Sequence, residues 1–195
     1  MNTPSHIVIG AALFARRDRP DVTLAAFAGG LAPDLLLFLM YGTAVWAFGI
    51  PEHRVFGAIY FSPGWQTVFA VDHSFLLWAA LLAAGIGLRR APLVAFGGAG
   101  ITHAATDFVL HNDDARRQLW PISDWMFRSP MSYWDPAHYG GIIAPVEAVL
   151  VAGLTVVLLR RLRRWWERGL TLAAAAALIV PILLTGGFHG LHGIG

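Results

Sequence analysis

The sequence predicts an all-α protein that is embedded in a membrane and has about six helices, the first of them short. Of its 195 residues, 56% are hydrophobic and 13% are charged, and the mean hydropathy is +0.58. A soluble domain of this length is considerably more polar. The charged residues lie in short clusters, and the apolar runs between them are long enough to cross the hydrocarbon core of a bilayer. No separate soluble domain is visible, so residues 1–195 are interpreted as a single membrane-embedded domain.

The apolar runs predict helices over residues 3–17, 22–50, 65–88, 92–111, 141–159 and 169–187. The first helix has a favourable start, with Thr3 as N-cap and Pro4 in the first turn. In the second, residues 29–34 contain two glycines and Pro33, which predicts a break or a kink in this span. Residues 112–140, named here the outer loop, separate the fourth helix from the fifth and are rich in aromatic side chains.

The positions of the arginines indicate how the helices are oriented in the membrane. The chain contains no lysine, so the arginines are the residues to count. If six successive helices alternate between the two sides of the membrane, ten of the 14 arginines share one side, named here the arginine-rich side: Arg16, Arg17, Arg19, Arg89, Arg90, Arg160, Arg161, Arg163, Arg164 and Arg168. Arginine concentrates in cytoplasmic loops, so this side is predicted to face the cytoplasm. The net charge of +2 is too small to indicate a nucleic-acid partner.

Ionisable side chains inside the predicted helices point to a functional site. Each costs roughly 2.5–3.5 kcal/mol at the centre of a membrane helix, so several of them require partners or a function. With a rise of about 1.5 Å per residue, they lie about 15–24 Å from the arginine-rich side. The residues in this layer are His6, Asp34, His73, His103 and Asp107. The sequence therefore predicts that they gather in one site.

The fourth helix carries the most informative spacing. His103, Asp107 and His111 follow one another at intervals of four residues, which places them on one helix face. The chain has no cysteine, so histidine and carboxylate would be the ligands of a divalent metal such as zinc. An open coordination position would hold a water acidic enough for hydrolysis at neutral pH. The alternative is a hydrogen-bonded polar core that only fixes helix packing.

The outer loop offers candidate substrate contacts. Arg116, Arg117 and Arg128 can bind phosphate groups, while Trp134 and other aromatic side chains can hold apolar groups. The loop would then be a lid above the metals; the alternative is an aromatic belt at the membrane interface. Asp135 and His138 are candidates for the catalytic acid and base, or for further ligands.

Four motifs follow one another in a recognisable order: Ser5-His6, Gly30-Leu31-Ala32-Pro33-Asp34, Asp72-His73-Ser74 and Thr102-His103 with Asp107. Together they resemble the YdjM-like family of bacterial membrane-bound metal-dependent hydrolases, which looks distantly similar to zinc-dependent phospholipase C. The resemblance covers residues 3–145. Outside it lie residues 146–195, which comprise the end of the fifth predicted helix, the arginine-rich loop that follows it and the sixth predicted helix. It implies a metal role for the five residues of the layer, and less directly for His111 and His138.

The expected function is that of a membrane-embedded metal-dependent hydrolase. It would cleave a phosphoester or ester bond of a lipid-like substrate through a water bound to one to three metal ions, with zinc as the expected metal. The expected location is the bacterial inner membrane, with the bilayer as partner and the site facing the non-cytoplasmic side. The alternatives are a divalent metal-ion binding or transport protein without hydrolytic activity and a purely structural membrane protein. His189 and His192, near the C-terminus, are predicted to have no metal role.

Overall fold

The computed structural model describes residues 1–185, and no β-strand occurs among them. The helices are α1 (Thr3–Phe14), α2 (Pro20–Gly42), α3 (Glu52–Arg54), α4 (Pro63–Asp72), α5 (Phe75–Gly87), α6 (Ala91–Leu110), α7 (Gly140–Arg161) and α8 (Trp165–Thr185). Short π-helical turns cover Thr43–Ala47 and Val55–Ile59, and a 3-10 turn covers Pro136–His138. His189 and His192 lie outside the described residues.

Five helical segments are long and apolar enough to cross a membrane: Pro20–Ala47, Pro63–Gly87, Ala91–Leu110, Gly140–Arg161 and Trp165–Leu184. The short α1 completes the six predicted segments in their predicted order. Large apolar side chains face outward, among them Trp46, Val149 and Leu183, which are 82%, 74% and 74% exposed. Such a surface suits lipid and would be costly in water. The prediction of an all-α polytopic membrane protein is therefore confirmed.

The structure narrows one predicted detail of the spans and contradicts another. Of the break or kink predicted at residues 29–34, the break does not occur, since α2 runs on through Pro33 to Gly42, and the kink stays a prediction. In an apolar environment an interrupted helix leaves backbone groups unpaired, which favours continuation. The break occurs in the next span, where α4 ends at Asp72 and α5 begins at Phe75 instead of forming one helix over 65–88.

Glycines allow α1, α2 and α6 to pack closely. A Cβ atom added at Gly29 would overlap the backbone of Phe96 on α6, and one added at Gly30 would lie 2.6 Å from the carbonyl oxygen of His6 on α1. Small residues permit this kind of backbone approach between membrane helices. Together they place the N-terminal half of α1 directly against the middle of α2.

The short α1 is held by α7 at both ends. Near its start, Oε1 of the buried Glu147 accepts hydrogen bonds from the Asn2 backbone N–H (2.9 Å) and from Ser5 Oγ (2.5 Å). Near its end, Arg161 donates to the carbonyl oxygens of Ala11 (2.7 Å) and Ala12 (2.9 Å). An acidic side chain at a helix start and a basic one at its end also complement the helix dipole.

Candidate metal centre

The break between α4 and α5 positions His73. Ser74 accepts a hydrogen bond from the Leu77 N–H at 3.3 Å, which makes it the N-cap of α5. The backbone groups released by the break find partners elsewhere: the Phe75 N–H donates to Gln118 O at 2.8 Å, and the Trp78 indole donates to Asp72 O at 2.6 Å. Irregular backbone at membrane depth is tolerated where it is buried in protein in this way.

Four side chains from three different spans meet at the end of this break, and we name them the four-residue group: Asp34, His73, His103 and Asp107. One donor atom from each lies within 4.8 Å of all the others, and all four residues are buried. The His73 Nε2 atom lies 3.3 Å from Asp107 Oδ2 and 3.8 Å from Asp34 Oδ1. The His103 Nε2 atom lies 3.3 Å and 3.6 Å from the same two oxygens.

These distances suit a metal better than direct hydrogen bonds. Ligands at 2.0–2.2 Å from a tetrahedral zinc are separated from one another by about 3.3–3.6 Å. Imidazole–carboxylate hydrogen bonds are shorter, roughly 2.7–3.2 Å. Three of the four nitrogen–oxygen separations, 3.3, 3.3 and 3.6 Å, fall within this range for tetrahedral ligands. The fourth, between His73 Nε2 and Asp34 Oδ1, is 3.8 Å. The group therefore has the size, the burial and the ligand chemistry of a divalent-metal site.

The outer ring nitrogens strengthen this interpretation. His73 Nδ1 lies 2.6 Å from Asp72 Oδ1, and His103 Nδ1 lies 2.8 Å from the carbonyl oxygen of Gly30. Each Nδ1 thus has a carboxylate or carbonyl partner, as histidines that ligate metals do. The Nε2 atoms of both histidines are buried and have no hydrogen-bond partner. Two imidazoles are therefore oriented with their free nitrogens toward two carboxylates.

The predicted ligands His6 and His111 lie beside the group, on the other oxygen of Asp107. Asp107 Oδ1 is 2.9 Å from His6 Nε2, 3.1 Å from His111 Nε2 and 2.8 Å from the Met1 amino group. The His6 ring also stacks on His103 with the ring centroids 3.5 Å apart. The five residues of the predicted layer are thus brought together, and Asp107 joins the two sets of contacts. Their roles as metal ligands stay a prediction.

A cavity of about 590 Å³ adjoins this centre. Asp34, Asp107 and His111 line one part of it, together with Arg116 and Trp134 from the outer loop. Its apolar lining comes from α2 and α8 and from Phe56, Tyr60 and Phe61, and residues 1–4 also border it. An ion held by the four-residue group would therefore face a space large enough for a small-molecule ligand.

The other predicted loop residues lie elsewhere. Asp135 Oδ2 and His138 Nδ1 pair with each other at 2.5 Å, and neither residue lines the cavity. Arg117 contacts Asp124 at 2.8 Å, and Arg128 is exposed. The roles suggested for these residues as catalytic or substrate-binding groups stay predictions.

The site also contains residues to which the sequence assigned no role in it. Thr3, predicted as the N-cap of α1, is its first helical residue instead, and its Oγ1 atom donates a hydrogen bond to Asp34 Oδ2. Asp114 Oδ2 lies 2.8 Å from His111 Nδ1. Burial raises the pKa of the Asp114 carboxyl group, but the neighbouring His111 ring outweighs it and lowers this pKa to about 2. The only sequence signal for such supporting residues was the motif Asp72-His73-Ser74, in which an acidic residue and an N-cap flank the histidine.

Comparison of the chain with models of protein families, with curated proteins and with solved structures gave no match. The resemblance to membrane-bound metal-dependent hydrolases accordingly stays a prediction from the four motifs. The feature that bears on function is the geometry of the buried aspartates and histidines.

Proposed function

We propose that the protein is a membrane-embedded metal-dependent hydrolase that cleaves a phosphoester or ester bond of a lipid-like substrate. Its location would be a bacterial inner membrane, with the site in the half of the bilayer away from the arginine-rich, cytoplasmic side. The metal would be zinc or a similar divalent ion bound by the four-residue group, with His6 and His111 completing the centre.

One observation carries the proposal: His73 and His103 direct two unpaired Nε2 atoms toward Asp34 and Asp107 beside a cavity. Burying two imidazole nitrogens without hydrogen-bond partners costs roughly 1–3 kcal/mol for each nitrogen. A bound cation removes this cost. A polar core that only fixes packing would instead be expected to pair these atoms directly at hydrogen-bond distance.

A divalent ion held by the four-residue group would supply Lewis acidity and activate water for hydrolysis near neutral pH. The chain contributes the orientation of the site. Asp72 and the Gly30 carbonyl hold the two imidazoles through their Nδ1 atoms, and Thr3 holds one oxygen of Asp34. The burial of these groups also excludes bulk water from all sides except the cavity.

Transport of metal ions is the less favoured function. A transport path would need polar groups that continue from the centre toward the arginine-rich side. In that direction the described part of α1, α2 and α6 buries small apolar residues, among them Val8, Ala11, Ala26 and Ala95. The hydrolase proposal needs access from one side only, which the cavity provides.

The experiment begins with the metal content of the purified protein, measured by mass spectrometry in detergent without a chelator. We expect at least one zinc or similar ion per chain, with loss of this metal in His73→Ala and His103→Ala. His53→Ala is the control, because His53 is exposed on α3 and should leave the metal content unchanged. A wild type without metal, even after incubation with zinc, would overturn the proposal.

Activity is then measured on chromogenic phosphoesters and carboxylic esters with short and long alkyl chains. We expect hydrolysis that a chelator abolishes and that zinc restores, with a preference for the longer chains. Stoichiometric metal without hydrolysis of either class would favour a metal-binding protein over an enzyme.

A further inference from the structure

The cavity beside the metal centre has two chemically different walls. Its polar wall combines the centre with Arg116, while its apolar wall is formed by Leu37 and Phe38 of α2 and by Leu178 and Ile182 of α8. Phe38 is 48% exposed on the outer surface, so the apolar wall continues toward the lipid-facing side of the bundle. A ligand that fills this cavity would have a polar group at one end and an apolar chain at the other.

Arg116 is the one arginine among the described residues that line this cavity, and it is only 3% exposed. Its Nη2 atom donates to the Tyr60 hydroxyl at 2.6 Å. Its guanidinium carbon lies 4.6 Å from the ring centroid of Phe69 and 5.3 Å from that of Tyr60. The guanidinium is thus fixed in orientation by one hydrogen bond and two aromatic rings.

Two donors of this fixed guanidinium, Nε and Nη1, are buried and have no hydrogen-bond partner. Burial lowers the pKa of Arg116, but Tyr60 and Asp114 outweigh it and the pKa is raised, so the side chain stays charged. A charged, buried donor pair without an acceptor is costly. A charged guanidinium with unpaired N–H donors is suited to a phosphate group, whose oxygens accept charge-assisted hydrogen bonds.

The acidic groups around Arg116 have other basic neighbours. Asp114 Oδ2 lies 2.8 Å from His111 Nδ1, and Asp107 contacts His6, His111 and the Met1 amino group. Asp34 belongs to the four-residue group and would be neutralised by a bound metal. With a divalent ion bound by the four-residue group, an anion in the cavity would have this ion on one side and the Arg116 guanidinium on the other.

We propose that Arg116 binds the phosphate group of an amphiphilic substrate whose apolar chain lies along α2 and α8. This inference rests on the proposed function and deepens it, because it selects a phosphoester over a carboxylic ester. The other loop arginines have no such place: Arg117 is paired with Asp124, and Arg128 is exposed.

The test measures binding of non-hydrolysable ligands to zinc-loaded protein by isothermal titration calorimetry. The ligands are hexylphosphonate, which has both the anion and the chain, methylphosphonate, which has only the anion, and hexanol, which has only the chain. We expect hexylphosphonate to bind most tightly. Arg116→Gln should weaken it about tenfold or more, the range for a hydrogen bond to a charged group. Arg54→Gln, at an exposed position of α3 that does not line the cavity, should leave the affinity within about twofold.

Several outcomes would overturn the inference. One is equal affinity of wild type and Arg116→Gln for hexylphosphonate at equal zinc content. Methylphosphonate binding as tightly as hexylphosphonate would indicate a free phosphate site instead of an amphiphile site. If Arg116→Gln does not fold, Arg116→Lys decides, because it keeps the charge and loses the guanidinium donors. An unchanged affinity would then contradict the proposal.

A failure of this inference can be separated from a failure of the proposed function. In protein stripped of metal, hexylphosphonate should still bind wild type more tightly than Arg116→Gln, though more weakly than with zinc. Missing zinc or missing hydrolysis with this difference intact would count against the hydrolase alone. Zinc and hydrolysis without the difference would count against the role of Arg116 alone.

Discussion

The two halves of the helix bundle differ sharply although the same helices build both. Toward the arginine-rich side, α2 and α6 bury small apolar residues such as Ala26 and Ala95. Toward the other side, the same two helices bury Asp34 and Asp107. The two halves therefore have different roles. Small residues in the apolar half bring the helix backbones close together, and this close approach allows side chains from several spans to meet in the polar half.

The contact between the halves lies at Gly29 and Gly30. These residues let α2 touch both α6 and α1, and the Gly30 carbonyl is also the acceptor for His103 Nδ1. The polar half is therefore coupled to the apolar half through the backbone, and changes at this boundary should affect the metal centre most.

Gly30→Ala is expected to have the largest effect. The added methyl group would lie 2.6 Å from the His6 carbonyl oxygen, so α1 must move away from α2. Overpacking of this kind costs about 1–3 kcal/mol of stability. The movement should also displace the acceptor of His103 and remove most of the bound metal. Denaturant unfolding in detergent and metal analysis measure both effects.

The matched control is Gly153→Ala on α7, where an added Cβ has no neighbour within 4 Å. It should leave both stability and metal content unchanged or slightly increased. Full metal content in Gly30→Ala would contradict the proposed coupling between the two halves.

Asp72→Asn is expected to have an intermediate effect that is confined to the polar half. The Asp72 carboxylate holds His73 through Nδ1 at 2.6 Å without belonging to the four-residue group. Loss of such a supporting carboxylate lowers metal affinity about 10–100-fold. Competition with a calibrated zinc chelator measures the affinity. Asp124→Asn, at an exposed position of the outer loop, should have the same zinc affinity as wild type. An equal loss of zinc affinity in both variants would argue against a specific role of Asp72.

Glu147→Ala is expected to have the smallest effect on the metal. It removes the acceptor of Asn2 and Ser5 at the start of α1 and leaves these donors unpaired, which costs about 1–3 kcal/mol of stability. Because α1 also carries His6 next to Asp107, we expect zinc affinity to fall only a few-fold. The control is Val149→Ala on the exposed face of α7. An unfolding free energy equal to that of this control would show that the Glu147 contacts do not stabilise the position of α1.

Much of the site could be predicted because each residue carried a local signal. Asp34, His73, His103 and Asp107 are ionisable residues within apolar runs, and counting along the helices placed them at one depth. The prediction of a continuous third helix failed at His73. The residues next to His73 include no proline or glycine that would mark an interruption. The groups that accept hydrogen bonds from the backbone at the break, such as the Gln118 carbonyl, are distant in sequence.

The outer loop was the least predictable region. Its three arginines look alike in sequence, yet only Arg116 is buried at the cavity. Burial of that side chain depends on Tyr60 and Phe69, which lie in a different part of the chain. Glu147 is a similar case, since its partners are at the N-terminus.

The sequence by itself determined the all-α membrane architecture, the order of the helices and the residue types of the candidate site. Hydropathy, charge clusters and helical spacing are properties of short segments, so they can be read without knowledge of the fold. The tertiary structure decided which nitrogen of each histidine is free, where the third span breaks and which arginine faces the cavity. Those features depend on contacts between residues far apart in the chain, and only the packing of the helices against one another determines them.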